Sequence, residues 1–563
     1  MRAALVSAAL LLLGGARAVG PAPGPIPEPL PLPESLQPPI RSEPADPLDL
    51  LWSHRLNFAA GGEPLVAIGL MEGQQEIAFR PRGQARLRAR GGAVLQLPAG
   101  ELFRVRAREA LPAAVARYPV LAELPQVDRA GIEAALRGWE ARGVRIRQRM
   151  VGGVYGIAGR VIDNRKVLLL ADGDGSEAWA RDLAERILAR DGTRPALFGE
   201  LVSRPRGELE LLDAGGVRLA LGDSLLSLEV SGEQGFELLR VESGGGLVPR
   251  GVEDRTFGGK LLVTLDASGR LAAVDALPLE DLLRGLVPSE MPAGSPREAL
   301  KAQAVTARSN VLAQIGTRHL TDPFVLCSEV HCQAYRGENA HNPATDAAVR
   351  ETRGEALFGR RDRALVDGVY SALCGGYGED NDAVWGGLPD PSLRGRPDLP
   401  PQAAARWAGG LSAEGRLRSF LEASPPAWCA LATGVRKDRW RWERHLGAAE
   451  LDAALAPLGV GAVRELVIPS RGVSGRAREL RVVGASGAAV VQGELRIRRL
   501  LGNLPSAMFV VEREGTGWLL RGGGWGHGAG MCQWGAIGRA EAGQGYREIL
   551  RAYFSGAEVA RVY

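Results

Sequence analysis

The sequence predicts an α+β protein in which several short antiparallel β units lead into a mixed α/β region. Three observations carry that expectation. Short apolar–polar runs broken by glycine recur through the first half of the chain. A β-α-β-β-α-β succession fills residues 111–203, the order of the ferredoxin-like split motif. A long helix with an apolar stripe follows a proline-flanked acid, Glu290.

Composition sets the outer bounds. With 563 residues, 45% of them hydrophobic and 24% charged, the chain can build several packed domains. Its net charge of +4 comes with no block of like charges, so nucleic acid is not an expected partner. Residues 1–18 have the form of a secretory signal: Arg2, an apolar run Ala3–Leu13, and the small-residue site Ala16-Arg17-Ala18. No later apolar run is long enough for a transmembrane segment. The expectation is export to the periplasm or the cell-wall or extracellular face, an oxidising setting in which the five cysteines carry information.

Residues 19–50 are dense in proline and read as an extended tether. Residues 51–110, with LVAIGLM, ARLRAR and AVLQLPA, read as a small β unit of their own. In 111–203, VLAEL, VRIRQRMV, KVLLLA and ALFGELV supply strands, and Arg129–Arg142 and Glu177–Arg190 supply helices. Residues 204–563 are counted as one domain, a β platform followed by a catalytic region, 257–563.

That region opens at Leu279–Ile315. A short helical segment runs into a kink bearing Glu290 between Pro288 and Pro292. Ser295 is expected to cap the next helix, with Pro296 at its first position and Glu298 completing a capping box. Leu300, Ala304, Ala307, Val311 and Ile315 form the buried stripe, while Lys301 and Arg308 share another face that can point towards Glu290. Further on come a cluster of His319, Cys327, His331 and Cys332, a helix at Asn342–Thr352, and a buried-type strand at Leu365–Tyr370. The segment SALCGGYGEDNDAVWG (371–386) has a double glycine and an exposed-type tryptophan, which suit close approach and stacking of a sugar chain. Residues 388–426 are irregular, and the glycine-rich loop RGGGWGHGAGMCQWGA (521–536) closes the series.

Three of these stretches, SEMP…P-x-EALKAQAVTAR, SALCGGYGEDNDAVWG and GWGHGAGMCQWGA, resemble the motifs of the stage II sporulation protein D family of peptidoglycan lytic transglycosylases, which also includes amidase enhancers. The resemblance runs from about Phe257 to Tyr563. It implies that Glu290 is the catalytic acid and that Arg308 is a second residue required for activity. It further implies Lys301, Gln303, Tyr377, Trp385, Trp525, His527 and Gln533 as substrate-binding residues. The chain departs from the family where a tryptophan often precedes the second proline; Ser295 stands there. Cys374 and Cys532 replace hydroxyl residues of the family. Residues 111–203 are similar to the SPOR modules that bind peptide-stripped glycans, and a purely structural spacer is the other reading.

The implied chemistry is cleavage of the β-1,4 bond between N-acetylmuramic acid and N-acetylglucosamine. A hydrolase uses two carboxylates for this. A lytic transglycosylase manages with one: it protonates the leaving oxygen and then accepts the proton of the sugar's own C6 hydroxyl, leaving a 1,6-anhydro end. Such an acid must be neutral before the reaction, so Glu290 is expected in a partly apolar pocket. No cofactor is required. His319, Cys327, His331 and Cys332 could hold a structural zinc, or the cysteines could pair as Cys327–Cys332 and Cys374–Cys429 with Cys532 free. Two other functions stay open. One is a non-catalytic enhancer that binds the wall and stimulates a cell-wall amidase. The other is a two-carboxylate hydrolase using Glu379 or Asp382.

Overall fold

A computed structural model describes residues 46–563, except 159, 192–193, 233, 246–247 and 362. The signal-type start and most of the proline-rich tether lie outside the described residues. None of the described helices is long and apolar enough to cross a membrane.

Two interleaved sheets form the platform. An eight-stranded sheet runs Asn57–Phe58, Pro64–Gln74, Leu271–Pro278, Lys260–Leu265, Leu225–Val230, Ala85–Ala89, Val94–Leu97, and Leu326–Cys327 joins Pro64–Gln74 in parallel. A six-stranded sheet runs Arg218–Asp223, Arg206–Leu212, Phe103–Leu111, Glu76–Pro81, Phe236–Gly245, Val248–Phe257. Residues 51–110 therefore do not stand as a unit of their own. Their strands pair with partners more than a hundred positions later, such as Val105 with Leu211 and Ala89 with Leu226. Local alternation finds such strands and leaves their partners unspecified.

Between Phe103–Leu111 and Arg206–Leu212, which pair directly, the chain makes an excursion. It contains four antiparallel strands in the order Leu197–Ser203, Ala114–Pro125, Lys166–Ala171, Ile146–Val151, with helices Arg129–Glu140 and Glu177–Asp191. The run KVLLLA is buried on both faces, which is why it lacks alternation. Val167 and Leu169 pack on Ile132, Ala135 and Leu136, while Leu168 and Leu170 pack with Tyr118, Val151 and Leu320. Leu320 belongs to the loop after the long helix, so the excursion is docked on the catalytic region. The Asn164 side-chain amide also donates to the carbonyl of Ile315 at 2.8 Å, and the Tyr155 hydroxyl donates to the same oxygen at 3.2 Å.

Helix Leu279–Glu290 carries Pro288 within its last turn, and Glu290 is its final residue. The long helix is Arg297–Gln314. Ser295 does not cap it: Pro296 occupies the cap position and no side chain bonds the first turn. The Ser295 amide instead closes a turn onto the Pro292 carbonyl, and the Glu298 carboxylate is taken by Lys301 and the amide of Tyr546. Alanines at 299, 302, 304 and 307 let neighbours pack closely, and almost the whole helix is buried. Its surroundings are helix Pro343–Glu351, capped by Asn342, and the antiparallel pair Glu355–Gly359 with Ala557–Arg561. The expected strand at Leu365–Tyr370 shrinks to Tyr370–Ser371, which pairs in parallel with Met531–Cys532. Two three-stranded sheets, one of them holding Arg441–Leu446 and the other Val463–Arg471, close a separate core around Phe509 and Trp518.

Candidate active site around Glu290

The short parallel pair Tyr370–Ser371 and Met531–Cys532 sets the double-glycine loop beside the histidine loop. Isolated bridges Leu373–Trp525 and Glu379–Ala529 extend the contact. Gly524, Gly526, Gly528 and Gly530 all have positive φ, from +68° to +100°. A Cβ on Gly528 would meet the Arg476 guanidinium at 2.4 Å. That alternation of glycines lets the loop fold back tightly and present Gln533 and His527.

Glu290 lies where the end of its helix meets this pair. Its Oε1 accepts a 2.6 Å hydrogen bond from the Ala334 amide. The Gln533 side-chain amide donates to the Glu290 carbonyl at 2.9 Å and stands 3.5 Å from Oε2. The Tyr370 hydroxyl lies against the carboxyl group and donates to Gln333 Oε1 at 2.9 Å. Gln303 adjoins Gln533 at 3.5 Å. Burial lifts the Glu290 carboxyl above its usual range, and the Ala334 amide, the neighbouring Tyr370 and Gln533 side chains and the charge of Arg336 do not cancel that rise. A carboxyl group held this way carries a proton further towards neutral pH than an exposed one.

His527 is fixed as a neutral ring. Its Nδ1 accepts from the Ala529 amide at 3.1 Å, so Nε2 carries the hydrogen donated to the Tyr370 carbonyl at 2.8 Å. Burial and the nearby charge of Arg476 hold its pKa down at about 3. Both nitrogens are committed, which leaves His527 a structural and stacking role. Trp385 lies over it with ring centroids 5.0 Å apart and is 54% exposed, a free aromatic face. Trp525 is half-buried, with the Arg439 guanidinium 4.3 Å from its ring.

Several expected site residues lie elsewhere. Arg308 is fully buried and makes two 2.8 Å bonds to Glu280, while its Nη1 donates to the Glu355 carbonyl. The long helix turns it away from Glu290; the cation felt by Glu290 is Arg336. Lys301 is spent on Glu298 and Glu351 and lies over the Tyr546 ring. Tyr377 packs edge-on against Phe420 at 1% exposure and cannot meet a ligand. Glu379 is buried and bonded by the Ser474 hydroxyl at 2.6 Å, and Asp382 is paired with Arg394. Neither is free to activate water. Tyr370, Gln333, Ala334 and Arg336 were missed. Tyr370 immediately precedes the loop 371–386, and the other three lie within residues 333–336, just after the cysteine–histidine cluster, so proximity to those segments was the available signal.

Residues 267–358 match the family model of the stage II sporulation protein, SpoIID, and residues 379–530 match a domain of unknown function, DUF8618. The stage II sporulation protein D of Bacillus subtilis is 26% identical over 306 residues, covering 51% of this chain and 76% of that protein. The family-model match and these relatives support the stage II sporulation protein D and amidase enhancer family. The amidase enhancer of Bacillus subtilis is 28% identical over 290 residues, 49% of this chain and 39% of that protein, so the match spans well under half of the enhancer. A protein of Brachyspira hyodysenteriae is 27% identical over 300 residues, covering 53% and 71% of the two chains.

The loop that supplies the Ala334 amide also carries the first cysteine–histidine cluster. His319 Nε2 lies 3.1 Å from Cys332 Sγ, and His331 Nδ1 lies 3.6 Å from both Cys327 Sγ and Cys332 Sγ. A tetrahedral zinc with bonds of about 2.0–2.3 Å spaces its ligand atoms by roughly 3.5 Å. The four residues fit such an ion, adjacent His331 and Cys332 included. His319 Nδ1 is held by Asp322 at 2.8 Å, the orienting contact that metal-binding imidazoles use. Cys327–Cys332 and Cys374–Cys429 are not disulfides; all five cysteines are free thiols, each pair crowded by further ligand-type groups.

Proposed function

We propose that this protein is an exported lytic transglycosylase of peptidoglycan glycan strands, with Glu290 acting first as acid and then as base. Membership of the family supports a cell-wall-related function. The observation that carries the finer reading is the setting of Glu290: a carboxyl lifted by burial and fixed through one oxygen by a backbone amide, with Trp385 exposed over the His527 loop that also bears Gln533. Glu290 gives its proton to the glycosidic oxygen as C1–O cleaves. The muramic acid's C6 hydroxyl then attacks C1, and its proton goes to the Glu290 carboxylate, which restores the acid. The one-carboxylate scheme is favoured because Glu379 and Asp382 are both engaged.

Trp385 offers the sugar face, and Gln533 with Tyr370 positions the carboxyl group. A zinc held by His319, Cys327, His331 and Cys332 would supply rigidity to the loop bearing Ala334. The 114–203 excursion, with sheet order four-one-three-two, is assigned as a ferredoxin-like, SPOR-like glycan-binding unit.

The test is mass spectrometry of purified glycan strands digested by wild type and Glu290→Gln. Wild type should release 1,6-anhydromuramyl ends and the variant should not. Anhydro ends from the variant overturn the single-acid scheme. No anhydro ends from wild type, with binding retained, favours the second reading, an enhancer of a cell-wall amidase, which the name of the relative in Bacillus subtilis supports.

A further inference from the structure

At Cys532, one residue before Gln533, four chain segments converge on a second set of ligand-type atoms. Cys374 comes from the double-glycine loop, Asp398 from the irregular stretch, Cys429 from the short helix Trp428–Leu431, and Cys532 from the cap of helix Gln533–Glu541. All four are buried, and one ligand atom from each lies within 4.8 Å of the others. Cys374 Sγ is 3.7 Å from Cys429 Sγ and 3.3 Å from Asp398 Oδ2. These are the edges of a tetrahedron around a metal with thiolate bonds of about 2.3 Å.

The hydrogen-bond donors favour a thiolate at Cys532 above all. The amides of Cys374 and Gly535 donate to Cys532 Sγ at 3.2 and 3.3 Å, and the Gly376 amide points at Cys374 Sγ at 3.4 Å. A neutral thiol is a weak acceptor, whereas a thiolate at a helix start uses such donors well. Asp398 is oriented by Arg539, whose Nη2 donates to Oδ1 at 2.8 Å, and by the Tyr553 hydroxyl at 3.0 Å from Oδ2. Arg441 is a second enclosed guanidinium that feels the charge of Cys429 and Cys374, and its Nε and Nη2 have no hydrogen-bond partner. Three thiolates and a carboxylate bring four negative charges, the two guanidinium groups bring two positive, and a divalent ion balances the remainder.

We propose that Cys374, Cys429, Cys532 and Asp398 form a closed structural site for a soft divalent ion of the zinc class. Three sulfur ligands exclude calcium and magnesium, which take oxygen. Four protein ligands leave no position for substrate, so the ion ties the double-glycine loop, the irregular stretch and the histidine loop together. Binding releases the thiol protons to solvent.

The full chain is tested without tags or chelators, with Cys332→Ser introduced to disable the first cluster. After exposure to zinc or cobalt and removal of excess, elemental analysis and native mass spectrometry should find one ion per chain. The cobalt form should show thiolate charge-transfer absorption. Adding Cys532→Ser or Asp398→Asn should lower the bound ion at least tenfold. A folded Cys332→Ser protein that holds no ion, or one found with a Cys374–Cys429 disulfide in its place, overturns the proposal. So does an ion that persists through both added substitutions. The first measurement leaves all four ligands intact and does not depend on the folding of the added variants.

Discussion

Glu290 and Arg308 share a neighbourhood in sequence and have opposite fates in the fold. The raised pKa of Glu290 fixes the sign of two pH effects. Its folded-state pKa lies above the unfolded value, so ionising it in the folded protein is costly. Stability should therefore fall as pH rises through that interval, and Glu290→Gln should unfold no more easily than wild type while losing about 10²–10⁴-fold in activity. Wild-type turnover should also decline on the alkaline side as the acid loses its proton. Rates and melting curves across pH check both. Arg308→Ala should behave in the reverse way: it strands Glu280 beside Tyr563 in the interior, at about 3–5 kcal/mol. Denaturant unfolding measures that cost. Helical spacing named the face on which Arg308 lies, but Glu280, 28 positions earlier, decided what it touches. Spacing within one helix holds no information about such a partner.

At the scale of elements, loops carry the specific chemistry and helices hold it in place. Trp385 has little packing to lose, so Trp385→Ala should leave the melting temperature within about 1–2 °C. It should weaken binding to purified glycan by about 1 kcal/mol or more, read by co-sedimentation. Disabling the first cysteine–histidine cluster acts through the backbone. Cys332→Ser, or chelation of a zinc bound at the proposed site, should loosen the loop whose Ala334 amide holds Glu290. The expected results are a lower melting temperature and at least tenfold slower product release from glycan. The histidine loop was legible because its glycines sit at alternate positions for a backbone reason. The cap at Ser295 was misjudged because a preceding proline turn claimed its amide, and two consecutive residues cannot both serve as the helix boundary.

The whole molecule shows where local reading ends. The succession of strands and helices along residues 114–203 could be anticipated, since each has its own local pattern. The platform could not, because its sheets are laced from residues 57–111 and 206–278. The excursion is also a brace for the long helix. Asn164 donates to the carbonyls of Ile315, Ala313 and Leu312, at 2.8, 3.2 and 3.3 Å, and so satisfies the open end of Arg297–Gln314. Asn164→Ala should cost about 1–2 kcal/mol in unfolding free energy, with glycan cleavage reduced only in proportion to the folded fraction. A larger kinetic loss would place the excursion in the reaction and not beneath it.

The amide of Ala334 has a geometric corollary. It occupies Oε1 of Glu290, so the transferable hydrogen is restricted to Oε2. A polymer with distinct ends can then be served from one flank of the carboxyl plane alone, and threading it backwards would put the bond to be broken on the wrong oxygen. On the proposed single-acid scheme, directionality along the strand would then follow from a single main-chain nitrogen.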